Sequence, residues 1–242
     1  MTGPDTSLTL RILAGFNLDL IRQPLTARLA EWGLEPRVEL AGFDQWRQEL
    51  LDPSSPLSSP DLDIAVVFLT EDDVWPGAAE EPELPDMAAA WSRGRQLASE
   101  LWRVLEQALA NFPKPIFLLP TIPPISRSSL GPLEVNLPAA RRHVLESFNA
   151  ALIESAGDQP RVFLLDHAGL AAWEGEKRLI DPRLWFLGRM RFDGAALGSV
   201  AAQWASTIAA INGRSRKCLV LDLDNTLWGG VIGEDGLRGI QL

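Results

Sequence analysis

Cysteine occurs once in the 242-residue chain, at position 218, which excludes an internal disulfide and a cysteine-based zinc site. Basic charge is also scarce: 22 Lys and Arg stand against 32 Asp and Glu, for a formal net charge of −10. The Lys/Arg surface that neutralises phosphates in nucleic-acid complexes is missing, so no DNA or RNA partner is expected. The apolar runs read as short strands, below the ~20 residues a membrane span needs, and no bilayer crossing is expected. The amino terminus, MTGPDTSLTLRIL, lacks the basic region, long apolar stretch and small-residue cleavage site of an export signal. The expected location is the cytoplasm. Tyrosine is absent while Trp occurs nine times. Trp32, Trp46, Trp91, Trp102 and Trp204 fall in helical patterns beside Leu or Ala and read as packing, whereas Trp185, in RLWFLGRM, could line a ligand edge.

Hydrophobic residues make up 46% of the chain, enough for a real core. Short apolar, β-branched runs alternate with helical patterns, as in a parallel sheet covered on both faces. Strands are expected at Leu8–Ala14, Arg37–Leu40, Asp63–Leu69, Pro115–Pro120 and Arg161–Asp166. Helices are expected near Leu18–Trp32, Phe43–Leu51, Asp86–Asn111, Pro138–Ala156 and Gly194–Ile211. The fold class is a doubly wound three-layer α/β domain. Pro-, Ser- or Gly-rich stretches at Pro53–Asp61, Pro76–Asp86 and Thr121–Pro132 read as surface loops. Those opening at Thr70 and Thr121 follow strands, so they lie on the carboxyl edge where α/β sheets bind ligands; Pro53–Asp61 lies opposite. The acidic clusters Glu71–Asp73 and Glu80–Glu83 read as solvated loop charge. Polar, basic NGRSRK marks a linker at 212–217, between a domain spanning 1–211 and a fresh pattern over 218–242.

That fresh pattern is LVLDLDNTLWGGVIGEDG. On a strand, Asp222 and Asp224 share a face where the apolar run ends. Two carboxylates so placed repel unless a cation lies between them, and the oxygen-rich setting favours Mg²⁺ with a phosphate. The backbone N–H groups of Asn225 and Thr226 could form an anion-binding concavity, and the glycines that follow, Gly229 and Gly230 first, suit a mobile hairpin. The plainer reading is a buried strand ending in an Asx turn.

The string DLDNTLWGGVIGEDG resembles the first motif of the haloacid-dehalogenase-like (HAD) phosphohydrolases, and its FkbH-like branch in particular. The resemblance implies that Asp222 is the nucleophile and a Mg²⁺ ligand. It makes Asp224 the general acid/base, holding the metal too, and Thr226 the residue that orients the nucleophile; Asn225, Gly229 and Gly230 contact substrate. The later HAD motifs, which supply a Ser/Thr, a Lys and an acidic pair, have no counterpart here, and Lys114 and Lys177 match none of them. The 242-residue chain alone is therefore expected to show no appreciable phosphatase activity. The same resemblance implies an SGNH-hydrolase-like amino-terminal domain, carried by ILAGFNLDLI, LLDPSSPL and DPRLWFLGRMRF. Where an SGNH esterase has its serine, the chain reads Gly15-Phe16-Asn17; where Asp-x-x-His is due it reads Asp181-Pro182-Arg183-Leu184. His143 and His167 match neither position and read as structural, His167 being the better functional candidate. The family further implies dephosphorylation of a phosphorylated glyceryl substrate and loading of the acyl unit onto an acyl carrier protein. Cys218 reads as core rather than as the loading thiol. Candidates for a docking patch are Arg141, Arg142, Arg183, Arg189 and Arg191. The rival readings are a non-catalytic docking module for a carrier protein or partner subunit and, third, an SGNH-type esterase.

Overall fold

The computed structural model describes residues 6–78, 84–124, 131–137, 140–215, 218 and 220–239. The chain divides into two compact units, Met1–Ile208 and Ala209–Leu242.

The first unit is built on five parallel strands: β1 (Ser7–Ala14), β2 (Glu35–Leu40), β3 (Ile64–Phe68), β4 (Ile116–Pro120) and β5 (Val162–Leu165). Their order is β2-β1-β3-β4-β5. Each expected strand is present, with ends that shift by at most two residues. The central strand β3, IAVVF, is buried at every position, as a strand covered on both faces must be. Edge strand β2, EPRVEL, buries only Val38.

Helices cover both faces. Residues Leu13, Ala65, Val67, Phe117 and Leu119 turn to one side, where they join a core with α2 (Trp46–Leu51), α4 (Met87–Asn111) and α5 (Arg141–Gly157). On the other side the Phe68 ring packs 4.9 Å from Trp204, on α9 (Gly194–Ile211). α4 forms because its apolar residues recur at three- and four-residue steps, burying Ala90, Gly94, Leu97, Leu101, Leu105 and Ala108. Asp86 caps it by accepting the Ala89 N–H at 2.8 Å. α5 lies so close that a Cβ on Gly94 would stand 2.8 Å from the Phe148 nitrogen. α1 (Arg22–Glu31) follows β1.

Several expectations change. α9, with mean hydropathy 1.2 over 18 residues, is long and apolar enough to span a membrane by length and composition, which the short-run reading missed. Its Val200, Trp204 and Ile208 are fully buried in the fold. Trp46 and Trp204 are core residues and Trp102 packs against the core, but Trp32, at the C-cap just past α1, and Trp91, near the start of α4, are more than a third exposed. Glu71–Asp73 is not loop but the helical turn α3 (Glu71–Val74), with the Glu71 and Asp73 carboxylates bonded within the fold and Asp72 exposed. Glu80–Glu83 lies outside the described residues. Between β5 and α9 run three short helices that periodicity over long windows does not reveal: α6 (His167–Glu174), α7 (Glu176–Leu179) and α8 (Pro182–Gly188).

In the second unit no strand forms over the described part of 218–224. Val220 is 87% exposed, with Leu221 and Leu223 about half exposed. A parallel strand draws all its backbone bonds from neighbouring strands, and among the described residues none pairs with this segment. Cys218, expected in a core, is exposed for the same reason. The unit ends in α10 (Ile232–Gly239), broken at Gly236, where φ is 63° and ψ 177°.

Candidate functional site

Strand order reverses between β1 and β3, so the carboxyl ends of these two strands form the switch point where such sheets bind ligands. After β1 the chain reads Gly15-Phe16-Asn17. Asn17 Oδ1 accepts the Asp19 N–H at 3.0 Å, an Asx turn that starts the next helical segment, so the side chain is tied to its own backbone. After β3, Thr70 opens α3 with a capping box: Asp73 Oδ2 accepts from the Thr70 N–H at 2.7 Å and its hydroxyl at 2.9 Å. The Asp73 carboxyl lies against Gly15, filling the place a Cβ would take. Burial pushes it above the ordinary carboxylate range, against the opposing pull of the Thr70 bonds. Asp72 is raised as well, by burial and then by the Glu71 charge.

A strap from α8 to α9 closes this edge. Asn17 pairs with Met190, its N–H donating to the Arg189 carbonyl at 2.9 Å. Arg191 Nη2 donates to both Glu71 carboxylate oxygens at 2.8 Å, leaving its side chain 12% exposed. Arg191 therefore drops out of any surface docking patch. The crevice left beside Asn17, lined by Leu18, Leu20, Met190, Phe192 and Leu197, is too tight to admit a water-sized sphere. Small-molecule pockets run to roughly 300–1,000 Å³.

His167 begins α6 directly after β5. It is 5% exposed, with its ring edge-on to Phe68 at 5.0 Å and Phe192 at 5.7 Å. Burial, helped by the Arg191 charge, lowers its pKa to about 4, so the ring is neutral near pH 7. Among the described residues its buried Nδ1 has no bonding partner. A general base must be oriented by a partner and reach a nucleophile; among the described residues His167 has neither, and its ring packs against Phe68 and Phe192. His143 pairs through Nδ1 with Glu146 at 3.0 Å on α5. Asp181, in the expected acid/base position, caps α8 through the Arg183 N–H and ion-pairs with the Arg183 side chain at 2.7 Å, which holds its carboxyl below the usual range. Among the described residues, this edge of the first unit sets no base beside a nucleophile, and an open hollow of about 610 Å³ lies next to it, lined by Asp19, Leu20, Arg22 and Thr26.

The second unit carries the DLDNTLW residues. Asp222 is exposed, and its Oδ1 accepts only the adjacent Leu223 N–H at 2.8 Å among the described residues. Asp224 is half-buried; its Oδ1 accepts from Trp228 Nε1 and the Ile232 N–H, both at 3.2 Å. Asn225 takes left-handed backbone, φ 57°, and closes a loop with Gly230: its N–H donates to the Gly230 carbonyl at 3.2 Å and its Oδ1 accepts the Gly230 N–H at 2.9 Å. Gly230, φ 104°, occupies a conformation that suits glycine alone. Thr226 and Gly229 are exposed on this loop. A closed loop forms over 225–230, but neither the expected hairpin, whose GGVIGEDG residues run into α10 from Ile232, nor the anion cradle: the Asn225 and Thr226 N–H groups already donate locally, to Gly230 and to Leu223. Without the strand, alternation no longer brings Asp222 and Asp224 to one face. Among the described residues no three His, Cys, Asp or Glu side chains gather as a metal site. Two carboxylates match the one or two that Mg²⁺ takes from protein beside phosphate and water.

No family model and no curated protein matches the chain. Solved structures do. The N-terminal part of the protein BF1531 from Bacteroides fragilis, which contains a phosphatase domain and is complexed with Mg, aligns at TM-score 0.79 and 21% identity, over 98% of this chain and 60% of that one. The chain thus spans less than two thirds of that structure. Est24, a carbohydrate acetylesterase from Sinorhizobium meliloti, aligns at TM-score 0.51 and 12% identity, over 84% of this chain and 99% of its own. An extracellular lipase from Streptomyces rimosus aligns at 0.52 and 13%, with the same two coverages. At such identities the likeness shows fold: a parallel α/β architecture of the SGNH-hydrolase type.

Proposed function

We propose that the chain is the amino-terminal portion of an FkbH-like HAD phosphatase, with a catalytically silent SGNH-like scaffold joined to the first catalytic motif. One observation carries this reading. The fold likeness to the N-terminal part of a phosphatase-domain protein complexed with Mg runs across 98% of the chain, past the scaffold and through DLDNTLWGG.

In this reading Asp222 attacks the phosphorus of a phosphorylated three-carbon, glyceryl-type substrate, forming an aspartyl phosphate as the alcohol leaves. Asp224 gives the leaving oxygen its proton and then takes one from the water that hydrolyses the intermediate. Thr226 orients Asp222, and the Asn225–Gly230 loop contacts the substrate. Asp222 and Asp224 would hold Mg²⁺, which when bound neutralises phosphate oxygens during attack. The exposure of Asp222 suits a nucleophile that must meet substrate. Loading of the glyceryl unit onto an acyl carrier protein, in the cytoplasm, belongs to the same reading.

The test is phosphate release from glyceryl phosphates by the natural protein that carries this sequence. Turnover that requires Mg²⁺ and is abolished by Asp222→Asn is expected; turnover untouched by that substitution refutes the reading. The esterase alternative is disfavoured by Asn17, which cannot form an acyl-enzyme, and by the burial of His167. Hydrolysis of p-nitrophenyl acetate that survives Asp222→Asn would revive it.

A further inference from the structure

Among the described residues Trp228 is the one side chain bonded to Asp224. Its indole Nε1–H donates to Asp224 Oδ1 at 3.2 Å, and the Ile232 N–H donates to the same oxygen at 3.2 Å. The loop brings these donors there. Asn225 turns the chain in left-handed backbone, Leu227 N–H donates to the Leu223 carbonyl at 3.0 Å, and a backbone bridge sets Trp228 beside Asp224. The longest of these contacts spans eight positions, so they form without the strand. Trp228 is half-buried where its neighbours Leu227 and Gly229 are exposed.

The two oxygens of Asp224 are thereby made unequal. Oδ1 is held twice, and among the described residues nothing donates to Oδ2. An indole N–H and a backbone N–H are donors only, with no lone pair to take a proton from the carboxyl. A proton on Asp224 therefore belongs on Oδ2. Both bonds to Oδ1 persist when Oδ2 is protonated, because the carbonyl oxygen of a carboxylic acid still accepts. An acid/base residue needs this constancy: it must give a proton in one half-reaction and take one in the next from the same place, and a displacement of about 1 Å can cost about a hundredfold. Asp222, with only the adjacent Leu223 N–H on its Oδ1, is not braced in this way.

We infer that Trp228 is a positioning residue, whose indole N–H fixes Asp224 so that Oδ2 carries the exchanged proton. This rests on the phosphatase reading above and adds a residue to which the motif gave no role. As the bond from Asp222 to phosphorus forms and the bond to the alcohol oxygen breaks, the Oδ2 proton passes to that oxygen. As water then attacks phosphorus, one of its protons returns to Oδ2 and Asp222 is released.

The test compares the natural protein with Trp228→Phe and with a variant carrying benzothienylalanine at position 228, which keeps the shape of the ring and puts sulfur in place of the N–H. On a glyceryl phosphate, whose alkoxide needs a proton to leave, both should lower kcat roughly ten- to a hundredfold and leave KM nearly unchanged. On p-nitrophenyl phosphate, whose phenolate leaves without one, single-turnover release of p-nitrophenol should slow by no more than about twofold. Loss of fold would slow both substrates alike, so equal effects overturn the inference, as does full activity of either variant on the glyceryl phosphate. The bond itself is read without turnover, from the indole N–H resonance that Trp228→Phe removes from spectra of the indole-labelled protein. That resonance should move in Asp224→Ala and stay in place in Asp222→Asn; a resonance indifferent to Asp224→Ala overturns the inference. A parent without Asp222-dependent turnover fails the phosphatase reading and the role of Trp228 with it, whereas a parent whose turnover ignores both Trp228 variants fails this inference alone.

Discussion

Gly15→Ala should be destabilising in the parent and neutral or stabilising once Asp73 has been truncated. A Cβ at position 15 would stand 2.5 Å from Asp73 Cγ and 2.7 Å from Oδ2, and its three nearest neighbours all belong to that carboxyl group. The carboxyl must swing away, giving up the Thr70 N–H and hydroxyl, and Thr70 is only 7% exposed. Loss of the cap, at about 0.5–2 kcal/mol, and of a partner for a buried N–H, at about 1–3 kcal/mol, overlap to give roughly 2–3 kcal/mol. Gly15 has no positive φ, so alanine is compatible with its backbone. In an Asp73→Ala background the clash is gone, and the lower entropy of the unfolded chain should make Gly15→Ala neutral or stabilising by up to about 1 kcal/mol. The four proteins of the cycle, unfolded in guanidinium chloride, should therefore report a coupling of about 3 kcal/mol at constant m-value. Equal effects of Gly15→Ala in both backgrounds would refute the close approach of these two groups.

Gly94→Ala should be worse, at about 3 kcal/mol or more by the same denaturation assay. The added carbon would meet the Val144 carbonyl oxygen, Ser147 Cβ at 2.7 Å and the Phe148 nitrogen at 2.8 Å, so the backbone of α5 would have to retreat. His167 makes stability depend on pH. Its folded pKa of about 4 lies below the ordinary histidine value of 6.5, so its contribution is full above pH 6.5 and is lost as pH falls toward 4, by about 3 kcal/mol in all. Asp72 and Asp73, raised by burial, act in the opposite sense, so the readout is the difference between parent and His167→Leu; parallel stability–pH curves would refute it. Asn225→Ala should open the 225–230 loop. Hydrogen exchange at the Gly230 amide, whose acceptor is Asn225 Oδ1, should speed up about tenfold, a loss of roughly 1.4 kcal/mol in local stability, and unchanged exchange would count against the closed loop.

The elements that were legible in the sequence are those whose signal is local and long. β3 shows as an unbroken apolar run, and α4 as 25 residues of three- and four-step periodicity that no strand could satisfy. Thr70-x-x-Asp73 could have been read as a capping box, and would have identified Glu71–Asp73 as a helix start rather than loop charge. That the Asp73 carboxyl also rests on Gly15 was not readable. The contact exists because β1 and β3 are neighbours, a fact of strand order that lies 58 positions away along the chain. α8 escaped the sequence for the opposite reason: seven residues are too few for periodicity to show a helix or that Phe186 and Leu187 point outward. At 218–224 the composition is that of a buried strand, but strand formation is a property of pairs, and the pairing partner is not among the described residues. Only what the segment does alone is visible there. Asn225 and Gly230 close their loop through contacts five residues apart, so the turn chemistry of the motif forms whether or not its strand does. It follows that the loop can be tested apart from any strand, whereas a shared face for Asp222 and Asp224 would require Val220, Leu221 and Leu223 to join a sheet.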